Sequence, residues 1–230
     1  MKSKTIQSKS VKAIFLAFII IISSISTVNA IGQLNGVSNG YIVQIIEERD
    51  GYIKASYLDT ITGKVDIVEQ YLNGDDSFIK IHSDDNLTTV ERKNNQLVIK
   101  ENYITIVDEE LVLQNHETDN NISFYSWGNW NSWYCTRTSA NYYKAEAALV
   151  ASITASVLGV PIVASIVTSV VGFVVSAGPG DVYYEICNRQ CQDRQRGIYE
   201  WQREITAYRV SNYTGLIDKY NYSWTGGASN

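Results

Sequence analysis

Charge is missing from one long stretch of this chain. Residues 147 to 180 contain no Asp, Glu, Lys or Arg. Histidine is nearly missing as well: His82 and His116 are the only two, and both lie outside that stretch. So few imidazoles leave little basis for a zinc site, and a Cys–His catalytic pair would have to join distant parts of the chain. Cysteine is scarce and odd in number, with Cys135, Cys187 and Cys191. In an exported chain that count predicts one disulfide and one remaining thiol. Cys135 with Cys187, Cys135 with Cys191 and Cys187 with Cys191 all stay open; either of the first two would enclose the whole uncharged stretch.

Catalytic and nucleic-acid signatures are also absent. There is no GxSxG, no HExxH and no phosphate loop with its lysine, and the Gly178-Pro179-Gly180 turn is followed by no cradle of donors. Adjacent acids such as Glu47-Glu48, Asp75-Asp76, Asp84-Asp85 and Glu109-Glu110 sit at strand ends and turns, where solvated surface is the ordinary role. Lys and Arg are not clustered, which removes phosphate backbones as a natural partner. The residues therefore predict a non-enzymatic protein without a cofactor.

The N-terminus carries a basic segment, MKSKTIQSKSVK, an apolar core, AIFLAFIIII, and a small-residue end at Val28-Asn29-Ala30. This is the anatomy of a secretory signal peptide, with a core too short for a spanning helix. Residues 1–30 are accordingly set aside. The expected location is extracellular, and the Lys-, Ile- and Asn-rich style suggests a Gram-positive bacterium.

The remainder falls into two unlike parts. Residues 31 to 120 hold 17 acids against 7 bases, whereas residues 121 to 230 hold 7 acids against 8 bases. The acidity belongs to the first part alone. From Tyr41 onward, short β-type segments alternate with turn signals such as Asp50-Gly51 and Asn73-Gly74, the strongest local hairpin signals. Residues 31–113 thus predict an acidic antiparallel meander. Residues 114–123, QNHETDNNIS, read as a polar linker and a processing site.

Pro161 and Gly159 interrupt the uncharged stretch, so 147–178 predicts a hydrophobic helical hairpin rather than one helix of about 50 Å. Small residues recur every fourth position: Ala151, Ala155 and Gly159 in the first arm, then Ala164, Thr168, Gly172 and Ser176 in the second. Such rows let helices approach closely in membranes. Trp127, Trp130, Trp133, Tyr134, Tyr142 and Tyr143 precede the stretch, and Tyr183 and Tyr184 follow it. Aromatic residues on both flanks of an apolar span match an interfacial belt. The tail, rich in Tyr with interleaved Arg, predicts a β-ribbon. The expected class is α+β: an N-terminal meander, a central helical hairpin and a C-terminal Tyr-rich ribbon, the last two within 124–230.

This layout resembles the large secreted bacteriocins of the geobacillin kind. In arrangement it is also similar to the sporulation-delaying toxins, which carry a hydrophobic hairpin beside a cysteine pair. The resemblance implies antibacterial activity on related species, and it supplies no active residues; an exported toxin would in addition call for an immunity partner in the producer. The combined expectation is a secreted toxin that inserts its hairpin, with self-association, into a target-cell membrane. Its acidic half would act as a guard or pro-domain. The alternative is a secreted or wall-associated binding protein whose hairpin is only a soluble core.

Overall fold

The computed structural model describes residues 37–38, 40–74, 76–84, 86–116, 130–193 and 198–227. The first part of the chain forms eight strands in simple sequential order: β1 (Val37–Ser38), β2 (Tyr41–Arg49), β3 (Tyr52–Asp59), β4 (Val65–Asn73), β5 (Asp76–Ser83), β6 (Asn86–Lys93), β7 (Gln96–Glu101) and β8 (Ile104–Glu110). Every neighbouring pair is antiparallel. Glycines at the turns make this possible. Gly51 has φ +68, and a Cβ there would stand 3.0 Å from the Leu72 carbonyl oxygen, so both backbone angle and space favour glycine.

Alternation aims one face of this sheet inward. Register places Ile53, Gln70, Ile79, Val90, Ile99 and Val107 side by side in one row across six strands. Ile53, Ile79, Val90 and Ile99 are buried there. Gln70 is wholly buried in the same row, a polar side chain where the pattern asks for an apolar one.

A second sheet holds five antiparallel strands in the order β13-β12-β11-β10-β9. They are β9 (Gln114–His116), β10 (Tyr134–Tyr142), β11 (Gly180–Asp193), β12 (Ile198–Val210) and β13 (Thr214–Gly227). Two short helices, α1 (Ala147–Leu158) and α2 (Ser165–Ala177), lie between β10 and β11 in sequence. Those strands pair from Tyr142 opposite Gly180 down to Tyr134 opposite Asn188, so the helix pair is an insertion between ladder neighbours.

α1 packs on β3, β4, β5 and β6 of the first sheet and on β10 of the second, and α2 packs on α1, β12, β13 and β1. Residues Ala148 to Leu158 are all buried. A helix enclosed on every side needs no polar face, and that explains the missing charge. One contiguous core then runs through both sheets and both helices.

The expected α+β class with a central helical hairpin and a C-terminal ribbon is overturned. The fold is mostly β: two antiparallel sheets with two short helices. Two features produce the difference. The segment YCTRTSANY, whose aromatic start predicts only the flank of the apolar stretch, is a full strand with Thr138, Ala140 and Tyr142 buried at alternating positions and Cys135 buried on the other face. The tail strands join it in a five-stranded sheet instead of forming a separate ribbon. Gln114–His116, the start of the expected linker, are strand β9 paired to β10, while residues 117–123 lie outside the described residues.

Candidate functional site

The helix pair is the feature on which the functional expectation turns, and its surroundings are built from polar contacts. α1 ends at Gly159, φ +64, whose N–H donates to the Ala155 carbonyl. Its last turn has no basic residue of its own. Arg92 of β6 supplies the cation: its Nη1 donates to the Ser156 and Val157 carbonyl oxygens at 3.1 and 2.8 Å. A guanidinium at a helix C-terminus satisfies orphan carbonyls and opposes the macrodipole.

The connection between the helices is held from the same side. Gln70 Nε2 donates to the Val160 carbonyl at 2.9 Å, and the Ile162 N–H donates to Gln70 Oε1 at 2.8 Å. The Tyr57 hydroxyl donates to the Ile162 carbonyl at 2.9 Å. Further along, the Tyr41 hydroxyl donates to the Thr168 carbonyl at 2.8 Å, and Ser77 Oγ donates to Ser156 Oγ at 2.9 Å. Five residues of the acidic half therefore clasp the turn and the helix ends around it. Sequence reasoning missed all five. The readable signal was periodicity: Gln70 and Arg92 stand two residues after Val68 and Val90, on the buried face.

The opposite side of α1 meets the second sheet through hydroxyls. Tyr142 Oη bonds both Thr154 Oγ1, at 2.8 Å, and Tyr184 Oη. Burial is the main cause that pushes Tyr142 up to about 12, with the hydroxyls of Thr154 and Tyr184 partly offsetting it. Burial also raises Tyr184, and its neighbour Tyr142 adds to the effect. The folded chain thus keeps a proton that the unfolded chain releases near pH 10. This stabilisation is complete below pH 10 and is lost as pH rises toward 12, by about 3 kcal/mol for Tyr142. A urea-midpoint series should fall between pH 10 and 12, and Tyr142→Phe should flatten part of that fall. An unchanged slope would remove Tyr142 as a cause.

The expected interfacial aromatics are dispersed in the folded chain. Trp127 lies outside the described residues. Tyr142 and Tyr184 are fully buried, whereas Tyr134 is exposed. Tyr143 reaches Glu101, and Tyr183 stacks edge-on with Tyr213. Trp130 and Trp133 stand over Arg189, with ring centroids 4.8 and 4.4 Å from its guanidinium carbon. Of the small residues, Ala151 and Ala155 are wholly buried, Gly172 and Ala164 are buried, Gly159, Pro161 and Thr168 are half-buried, and Ser176 is exposed.

Cys135 and Cys187 are joined by a disulfide between directly opposed residues of β10 and β11. Cys191 is a buried thiol. Among the described residues no group of His, Cys, Asp or Glu is placed to hold a metal ion, and no helix is long and apolar enough to cross a membrane. Comparison with protein-family models, with curated proteins and with solved structures finds no match.

Proposed function

We propose that the chain is a secreted, non-enzymatic antibacterial protein that stores a membrane-active helix pair between its two sheets. The observation that supports this reading is the clasp. A charge-free helix pair is gripped at its turn by Gln70, Tyr57 and Arg92, all contributed by the acidic half. Removal of that half would uncover α1 and leave the turn's polar groups unpaired. The acidic surface would also keep the stored form away from anionic lipid. Target-cell membrane, self-association there and an immunity partner in the producer belong to this reading.

As they stand the helices measure about 18 and 20 Å, shorter than the hydrocarbon core of about 30 Å. Insertion would therefore require lengthening across the turn or association of several chains. The burial of α1 on every side favours a second reading, a wall-associated or secreted binding protein in which the helices are only core.

One experiment separates them. A protease site placed within 117–123 of the 31–230 chain allows dye release from anionic liposomes to be compared before and after nicking. Leakage after nicking alone is the expected result. If neither form binds lipid or releases dye, the membrane reading fails and the binding reading replaces it.

A further inference from the structure

The outer face of the second sheet carries a cleft that neither helix touches. It has a volume of about 330 Å³ and is lined by Trp133, Arg189, Gln202, Arg203, Glu204, Asn221, Tyr222 and Ser223. That is the small end of the range for organic ligands, about 300–1,000 Å³. Alternation along the strands accounts for five of the eight, while Arg203 and Tyr222 belong by register to the opposite face. Arg189, Gln202 and the pair Glu204 and Asn221 fall on one face by register, with Ser223 opposite Gln202.

Its aromatic wall is fixed in place. Trp130 bridges to Cys191 as a short continuation of the ladder. The Asn131 N–H donates to the Gln190 carbonyl at 3.0 Å, and the Gln190 N–H donates to Asn131 Oδ1 at 2.7 Å. These bonds pin the segment that presents Trp130 and Trp133. Arg189 lies within cation–π range of both rings, and its Nε donates to Gln202 Oε1 at 2.7 Å. Its two Nη groups have no hydrogen bond or ion pair to the other described residues. A guanidinium held by two indoles, with its outer edge unspent, is a preorganised fork for a carboxylate.

The remaining groups suit hydroxyls. Asn221 and Ser223 are exposed, and their side chains make no hydrogen bond to the other described residues. Arg203 is engaged with Asn188 and Tyr222. Glu204 is neutralised by Lys219 at 2.6 Å. The local balance is therefore positive, while the floor offers amide and hydroxyl groups that both donate and accept. An indole wall stacks on the C–H face of a sugar ring, and a polar floor reads its hydroxyls.

We propose that this cleft binds an acidic saccharide unit, with Arg189 on the carboxylate, Trp133 on the ring face, and Gln202, Asn221 and Ser223 on the hydroxyls. The site is independent of the helix pair and would localise the protein on carboxylate-bearing glycans whether or not the helices are released.

The test uses the 31–230 chain, with calorimetry and tryptophan fluorescence on titration with glucuronic acid, glucose, acetate and glycerol phosphate. Glucuronic acid should saturate with a Kd of about 1 mM, the weak range expected for a single ring in an open cleft. Glucose and acetate should each bind about 10-fold more weakly, since each supplies half of the contacts. Arg189→Lys should reduce glucuronic acid binding about 10-fold and leave glucose unchanged, because it keeps the charge and loses the fork. Asn221→Leu, on an exposed position, should weaken both sugars. Absence of saturable glucuronic acid binding would overturn the proposal. So would equal binding of acetate or glycerol phosphate, which would mark a bare anion site, or full retention of binding in both variants.

Discussion

Gln70→Leu is expected to lower the stability of the chain by about 3–4 kcal/mol, read as a shift in the urea midpoint without a change in slope. The two side chains are close in volume, so packing is nearly kept. What is lost is the pair of bonds to the Val160 carbonyl and the Ile162 N–H, both in the buried turn. Each group left unpaired and shielded from water costs about 1–3 kcal/mol. Gln70→Glu provides the complementary result. A carboxylate accepts from Ile162 but cannot donate to Val160, and it is a buried charge at neutral pH. That variant should be less stable than Gln70→Leu at neutral pH and recover toward acid, where protonation restores a donor. A loss below about 1 kcal/mol in Gln70→Leu would show that the clasp contributes little.

The second large effect is expected from the disulfide. Its partners are 52 residues apart, and that interval contains the whole helix pair. Cross-linking such a loop removes about 4 kcal/mol of chain entropy from the unfolded state. Cys135→Ala with Cys187→Ala should therefore cost about 3–4 kcal/mol, and reduction of the unaltered chain should cost nearly as much. Both cysteines are buried, so a small packing loss adds to the alanine form. If reduced and oxidised chains unfolded at the same urea concentration, the loop would not be limiting the unfolded state.

Much of the first sheet was legible because its turns announce themselves. Asp50-Gly51 and Asn73-Gly74 fall at observed hairpin turns, with Gly51 and Gly74 at positive φ. The end of α1 was legible from Gly159, which caps it in the left-handed conformation, whereas the start of α2 at Ser165 was not marked by Pro161. The layer arrangement was not. A charge-free run is demanded equally by lipid and by enclosure between two protein layers, and periodicity along the run does not distinguish them. Strand β10 was hidden for a different reason: aromatic residues before it and polar Thr, Ser and Asn within it diluted its alternation. Gln70 and Arg92 were hidden because a polar residue in a strand normally reads as solvent-facing. Their partners lie 90 and 64 positions away, beyond any local pattern.

The helix pair is pinned unequally at its two ends. Below its base, β10 and β11 are tied by a covalent bond; at its turn, the grip comes from hydrogen bonds to the other sheet. Under mechanical load applied to the two termini, force would bypass the 135–187 loop entirely. Peeling of β1 to β8, and of β12 and β13 on the other arm, would lengthen the chain, while the bond keeps the loop closed. Only after reduction would the enclosed loop come under tension, adding about 180 Å of extension. The same asymmetry divides the chain into two loaded arms and one slack loop that only a reductant can bring under tension.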